Sequence, residues 1–469
     1  MATKQQEAIR YISDNYLQFN RIRHDVVSDK LQIRLLGEEG KGERQEYWRE
    51  MTKQDINSIV CQCAQECDSN ITSREVMTVL QSDLVPSVHP LREYILSCRT
   101  WTGEIDWIDS VARQVRVKTN DNTNNFCARP TLALAKDVQP FSSPLSNVGE
   151  AEELSMLSSQ KTEYSSSESS SSDALWRECF KRWFVAMVAS WMKDEVVNHT
   201  VLVLVGRQGI FKTTWLDHLM PPELRAYSSK LPLSGQISKD DRLRLCENAM
   251  LNIDELDAIC GREMNIVKSL LTSTDVNERA AYGRLKERRV RLASFCASTN
   301  NREFLTDITG NRRWLPFEVE SIQNPFHTTL PYEYLYAQAK HLVEQGWFAY
   351  WFDMQEIEEL EKHNEEFRAQ DNEEQLLPIL FDIPAEGKGE FMTTAEISER
   401  LVTFGGIKKP MNTRQLGVLM GKLKFKKAQA YMSGTCVRGW MVHKRLDDEI
   451  IRAKKNDIDH ATKQQSDVF

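Results

Sequence analysis

Val201-Leu202-Val203-Leu204-Val205-Gly206-Arg207-Gln208-Gly209-Ile210-Phe211-Lys212-Thr213-Thr214 decides how the chain is read. Five apolar residues bounded by glycine have the length of a parallel strand buried on both faces. The residues after them match G-x-x-x-x-G-K-[ST] except at the second glycine, where Phe211 stands. Such a pattern makes a tight turn whose backbone N–H groups converge on an anion at a helix N-terminus. Gly206, Gln208, Gly209, Ile210 and Phe211 are expected to cradle phosphate, with Thr214 following in the helix. Lys212 would reach the β- and γ-phosphates of ATP, and Thr213 would place its hydroxyl on Mg²⁺. The position of Phe211 often needs a left-handed backbone, which costs a bulky residue about 1–2 kcal/mol. Gly209 is expected to supply that freedom instead, with the Phe211 ring turned outward against the sheet.

Two more strands stand out downstream. Ala249–Ile253 ends in Asp254-Glu255, an apolar strand followed by an acidic pair. Asp254 would hold the metal and Glu255 would polarise an attacking water. The acids lie about 40 residues beyond Lys212, a separation that suits neighbouring strands of one sheet. Val290–Ala297 runs into Ser298-Thr299-Asn300-Asn301, and the Asn300 amide is placed to hold the lytic water. Arg312 and Arg313, in a glycine-bounded turn before Trp314, suit an arginine finger reaching a neighbouring subunit's nucleotide. Strands alternating with helical stretches argue for an α/β layer with a parallel sheet.

The whole chain sets limits on that reading. Its 469 residues allow two to four domains. A formal net charge of -8 rules out a global polycation, so any nucleic-acid contact must be local. An apolar share of 41% is too high for a disordered chain. No run of about eighteen apolar residues occurs, so no membrane span is expected. The N-terminus lacks an apolar signal core, and ten cysteines in a chain this long read as reduced thiols, so a cytoplasmic location is expected. Residues 1–140 read as a mostly helical N-terminal domain, with Ile56, Ile59, Val60 and Cys63 at helical spacing. The serine-rich stretch 141–173 reads as a flexible linker. Residues 174–325 form the phosphate-loop core, 326–380 a helical connector, 381–445 a basic domain and 446–469 a polar tail.

GRQGIFKTT, LNIDELD, RLASFCASTNNREFL and TGNRRWLPFEV together resemble the virulence-associated protein E family of bacterial and phage mobile elements. The resemblance covers about Trp176 to Val319 and extends more weakly upstream. The family usually has glycine where this chain has Phe211, and Trp-Asp-Gly where it has Trp101-Thr102-Gly103. It implies an α/β P-loop AAA+ core related to superfamily 3. Lys212 and Thr213 match its phosphate and metal positions, Asp254 and Glu255 its acidic pair, Asn300 its sensor, and Arg312 or Arg313 its trans-acting arginine. It further implies a ring, by expectation a hexamer, because each site needs a neighbour's arginine. A pore hairpin in the segment Thr274 to Arg289 would put Arg284, Lys286, Arg288 and Arg289 on a DNA backbone.

TTAEISERL, NTRQLGVLMGKLKFKKAQAYMSG and TCVRGWMV resemble a winged-helix module. Ala395, Ile397, Leu401, Leu416, Leu419 and Met420 would make its core, and a hairpin around Ser433–Gly434 its wing. Asn412 or Thr413 would cap the second helix. Arg414, Lys422, Lys424 and Lys426 are then expected to contact phosphate, with affinity that falls as salt rises. Cys61, Cys63 and Cys67 lack an obvious fourth zinc ligand, and the Glu104–Asp109 stretch lacks the rest of a primase domain. The expectation is an ATP-driven helicase or translocase acting on single-stranded or forked DNA of a mobile element. A nucleotide-gated DNA-binding or signalling scaffold that hydrolyses ATP weakly is the alternative, and Phe211 favours it.

Overall fold

A computed structural model describes residues 4–36, 46–67, 71–118, 171–231, 238–254, 256, 261–278, 287–305, 311–369, 372–384, 389–405, 407, 410–432 and 434–445. The chain is mixed α/β and divides into two compact units. One comprises Met1–Arg302 and Arg312–Glu365, the other Glu303–Asn311 and Glu366–Phe469.

The first unit opens with a four-stranded sheet of β1 (Ile22–Asp25), β2 (Lys30–Leu36), β3 (Glu46–Glu50) and β4 (Ser87–Val88), in the order β3-β2-β1-β4. This sheet corrects the expectation of a mostly helical N-terminal region. Leu31, Ile33 and Leu35 alternate at period two, a strand signal outweighed by the helical spacings on either side. The helices Lys4–Ile12, Lys53–Cys67 and Ser73–Leu80 pack with it around Ile12, Ile22, Ile59, Cys63 and Val76.

That small core stops near Val85. Leu91, Ile95, Ile108, Val111, Val115 and Val117 instead belong to the main core with Trp176, Phe180, Trp183 and Phe184. The two cores thus share the N-terminal region, with Val27 also in the main one, and residues 1–302 fall within one compact unit. Hydrophobic burial, rather than the serine-rich stretch, decides where the chain partitions. Residues 119–170 of the expected linker region lie outside the described residues, and Ser171–Asp173 already belong to the helix Ser171–Met192.

The main sheet comprises β5 (Val115–Val117), β6 (Val201–Val205), β7 (Ser228–Lys230), β8 (Met250–Ile253), β11 (Ser294–Thr299) and β12 (Trp314–Ile322). Its order is β5-β12-β6-β11-β8-β7, and only β5 runs antiparallel to its neighbour. Between β8 and β11 lies a separate antiparallel pair, β9 (Asp275–Glu278) with β10 (Glu287–Val290). β11 pairs with β6 on one side and β8 on the other, so the phosphate strand and the acidic strand are not neighbours as expected. A spacing of about 40 residues is met as well by a sheet with one strand inserted. The insertion brings Asn300 between the two chemistries.

The second unit carries β13 (Phe381–Asp382), β14 (Glu390–Thr393), β15 (Lys426–Met432) and β16 (Thr435–Lys444). β16 pairs antiparallel with each of the other three. Helices Thr394–Gly405 and Thr413–Lys422 cover the sheet with Ile397, Leu401, Leu416, Leu419 and Met420, all fully buried. Ala395 is exposed and does not join that core, because it lies in the first turn of its helix, where Thr393 and Glu396 form a cap at the surface. Asn412, not Thr413, caps the second helix by accepting from the Gln415 N–H at 2.9 Å. At Gly439 a Cβ would meet the Met392 carbonyl oxygen at 2.3 Å, so close strand contact requires glycine there.

His89 caps the helix Pro90–Ser97, its Nδ1 accepting from the Arg92 N–H at 3.3 Å. Burial, then the Arg92 charge, push its pKa down to about 4. A depressed histidine pKa means the folded state binds fewer protons than the unfolded one. This contribution to stability is therefore complete above pH ~6.5 and is lost as pH falls towards 4. His89→Asn keeps a capping acceptor that does not titrate over that range. Urea midpoints measured from pH 7 to 4 are expected to fall less steeply for the variant than for wild type.

Candidate nucleotide-binding site

The site lies at the carboxyl ends of β6, β11 and β8, the edge at which open parallel sheets receive ligands. The Gly206 N–H donates to the Thr299 carbonyl at 3.1 Å, tying the loop to β11. A Cβ at Gly206 would stand 2.8 Å from the Val319 carbonyl oxygen, so only glycine lets the chain leave the sheet there. Gly209 and Phe211 both take left-handed backbone, with φ of 87° and 68°. The expectation that Gly209 spares Phe211 is thus corrected: the strain sits on the phenylalanine, as the residue before the helix Lys212–His218.

Replacing Phe211 separates strain from packing. Phe211→Ala keeps the left-handed cost and loses the ring, whereas Phe211→Gly loses both. The glycine variant is expected to be the more stable of the two by about 1 kcal/mol, measured by denaturant unfolding. The reverse order would mean that the backbone at 211 is not strained.

Lys212 is 7% exposed. Its Nζ donates to the carbonyls of Gly206 at 2.7 Å and Arg207 at 2.8 Å, and to Asn300 Oδ1 at 3.0 Å. The lysine and the asparagine, 88 residues apart in sequence, thus meet in the cavity. Thr213 Oγ1 donates to Asp254 Oδ1 at 3.3 Å and lies 2.9 Å from Ser298 Oγ. Ser298 Oγ also donates to Asp254 Oδ1 at 3.3 Å. Burial raises the Asp254 pKa, but the Lys230 hydrogen bond and charge outweigh it, aided by the two hydroxyls, and hold the carboxyl below its usual range. Three hard oxygens from three elements form a donor set that fits Mg²⁺ once phosphate oxygens and water complete it.

A cavity of about 310 Å³ opens here, lined by Gln208, Gly209, Phe211, Lys212, Thr213, Thr214, Asp254, Ser298, Thr299 and Asn300. Ile210 packs instead at the edge of the main core. Glu255 lies outside the described residues.

Sequence reading missed two members. Ser298 looked like the end of an apolar strand. Lys230, on the edge strand β7, donates to Asp254 Oδ2 at 2.6 Å. No motif announces it, because its partner is reached across the sheet rather than along the chain.

Arg312 and Arg313 are not brought to this cavity. They precede β12, whose Trp314 is in register with Val201 at the start of β6. The arginines thus sit at the amino edge of the sheet, roughly 15 Å from the phosphate loop at the strand rise of about 3.3 Å per residue. Burial, then the neighbouring Arg312 charge, lower the Arg313 pKa.

The basic candidates divide. Arg284 and Lys286 lie outside the described residues. Arg288 is exposed and pairs with Asp275 at 2.5 Å. Arg289 is not available to DNA: it pairs with Glu247 at 3.3 Å and donates to the Val27 carbonyl, as half-buried packing between elements. In the second unit Arg414, Lys424 and Lys426 are exposed and meet no carboxylate among the described residues, while Lys422 lies 3.8 Å from Glu374. The β15–β16 register adds residues that sequence reading left out of the site. Lys427 faces Trp440 and Gln429 faces Arg438, beside a cavity of about 530 Å³.

Among the described residues no cluster of His, Cys, Asp and Glu could hold a metal by itself, and Cys61, Cys98, Cys179, Cys246, Cys296 and Cys436 are free thiols. No helix among them is long and apolar enough to cross a membrane.

Residues 155–369 match the profile of the virulence-associated protein E-like domain. No curated protein matches the chain. Among solved structures, the apo C-terminal region of NrS-1 is similar at 10% identity, over 93% of this chain and 100% of that one, with a TM-score of 0.39. Its A form is similar at 11% identity over 93% and 99%, with a TM-score of 0.37.

Proposed function

We propose that this chain, whose residues 155–369 belong to the virulence-associated protein E-like domain family, is a P-loop ATPase of the superfamily 3-like AAA+ class that works on DNA of a mobile element. The observation that carries the reading is the convergence of Lys212 with Asn300, and of Thr213 with Ser298 and Asp254, at one sheet edge. Backbone N–H groups at the loop and the Lys212 ammonium would bind the triphosphate and stabilise the charge that develops on the γ-phosphoryl oxygens. Thr213 and Asp254 would hold Mg²⁺, which supplies further charge neutralisation to the phosphates. Asn300 would orient the attacking water and Glu255 would accept its proton.

Arg312 and Arg313 lie at the wrong edge to serve their own cavity, which favours action on a neighbour in a ring. Mixing an Arg312→Ala or Arg313→Ala chain with a Lys212→Ala chain is expected to restore turnover that neither shows alone. No recovery at any ratio, with mixed oligomers shown by mass, would count against action in trans.

The second unit, where the helices Thr394–Gly405 and Thr413–Lys422 precede the β15–β16 hairpin, would act as a winged helix, with Arg414, Lys424 and Lys426 offered to phosphate. A nucleotide-gated scaffold with slow turnover is the second reading. Two observations favour it: the left-handed Phe211, and the Lys230 ammonium that already neutralises Asp254.

A further inference from the structure

Polar side chains and loop backbone make up much of the 310 Å³ cavity, and Phe211 is the one large apolar side chain among the described residues that line it. Lys212 and the loop backbone suit phosphates there, and the aromatic side is the one that suits a base. Behind Phe211, outside that lining, stands Phe326, 71% exposed. Its ring meets the Phe211 ring at 6.3 Å and 81°, and the His218 ring at 5.7 Å and 86°. His218 is itself fixed, because its Nδ1 donates to the Thr214 carbonyl at 2.8 Å. The Phe326 backbone is fixed as well. Its N–H donates to Asn324 Oδ1 at 3.0 Å and the His327 N–H to the Asn324 carbonyl at 3.1 Å, an Asx turn. A phenyl ring is thus held in place by two edge contacts and a preset turn, while most of its surface faces water. Such exposure is unfavourable for an aromatic ring unless something covers it.

We propose that Phe326, propped by Phe211 and His218, is the stacking shelf for the base of a nucleoside triphosphate whose phosphates occupy the loop. The inference rests on the nucleotide reading of the cavity and adds to it how the base is held. It also gives Phe211 a reason to stand where glycine would be easier: its ring joins the phosphate seat to the shelf. Stacking on a phenyl ring uses the face that every base has, so the shelf selects for a base without selecting which one.

Titration calorimetry of the full chain with ATP, GTP and inorganic tripolyphosphate, each with Mg²⁺, tests this. Phe326→Ala is expected to weaken ATP and GTP about tenfold and to leave tripolyphosphate unchanged, while Phe326→Tyr restores both nucleotides. An alanine variant that binds ATP as wild type does would overturn the shelf. So would equal weakening of ATP and tripolyphosphate, because the ring would then support the loop rather than the base. A wild-type chain that binds none of the three would overturn the nucleotide reading and the shelf together.

Discussion

Lys212→Ala is expected to lower steady-state ATP turnover by about a hundred- to a thousandfold while the chain remains folded. The magnitude follows from removing one preorganised donor aimed at developing oxyanion charge in a cleft shielded from water. Asn300, the lysine's side-chain partner, carries no charge, and Lys230 is engaged with Asp254 on the metal side of the cavity. The fold should survive because the ammonium bonds two loop carbonyls in the cavity rather than filling the apolar core. A thermal unfolding curve within a few degrees of wild type would establish this, and turnover within tenfold of wild type would exclude Lys212 from the chemistry.

The largest expected loss of stability comes from a residue with no part in that chemistry. Arg291 has no exposure, yet no carboxylate faces it among the described residues. Its guanidinium donates instead to the carbonyls of Asn198 at 2.7 Å, Leu271 at 2.8 Å, and Leu270 and Ala293 at 3.1 Å. Leu270 and Leu271 lie at the carboxyl end of the helix Gly261–Thr272, where unsatisfied carbonyls and the helix dipole favour a cation. Burial pushes its pKa down to about 9, so it remains a cation at neutral pH. Arg291→Met fills much of the volume but strands those buried acceptors. We expect a loss of about 3 kcal/mol or more, read as a lower denaturant midpoint. An unchanged midpoint would mean that water satisfies the carbonyls.

Arg291 also shows where sequence reading stops. In VRLASFCA it passes for one polar residue in an apolar strand expected over Val290–Ala297. In the fold the run is broken: Val290 ends β10, Arg291 turns inward, and β11 begins at Ser294. Periodicity sees burial but not which carbonyls a buried cation will meet. The loop from Gly206 to Lys212 was legible because a tight strand-to-helix turn is set by backbone geometry within a few residues, and short-range geometry leaves a spacing in the sequence. For the same reason the sequence singles out Lys212, Thr213 and Asp254, whereas the left-handed backbone that falls on Phe211 was expected to be spared by Gly209. The strand order could not be read this way, since a 40-residue gap fits neighbouring strands or strands one apart. Lys230 and Phe326 depend on that order and on a turn, so no local pattern marks them. The N-terminal sheet was passed over for a different reason. Its alternating stretch is short, and helical spacings surround it.

The second unit's basic residues follow the same division. The excess of Lys and Arg between Lys408 and Arg438 was visible as composition, and it places local positive charge on a chain whose net charge is -8. Which of them share a face is a matter of register. Only the pairing of β15 with β16 sets Lys427 and Arg438 beside Trp440 and Gln429.

The most direct test of the account is steady-state ATP turnover of the full chain, with and without single-stranded DNA, compared with Glu255→Gln. Turnover is expected to be measurable, to rise with DNA and to be lost in the glutamine variant. Negligible turnover in wild type, unaffected by DNA and the same in Glu255→Gln, would contradict the ATPase reading and leave the scaffold reading in its place.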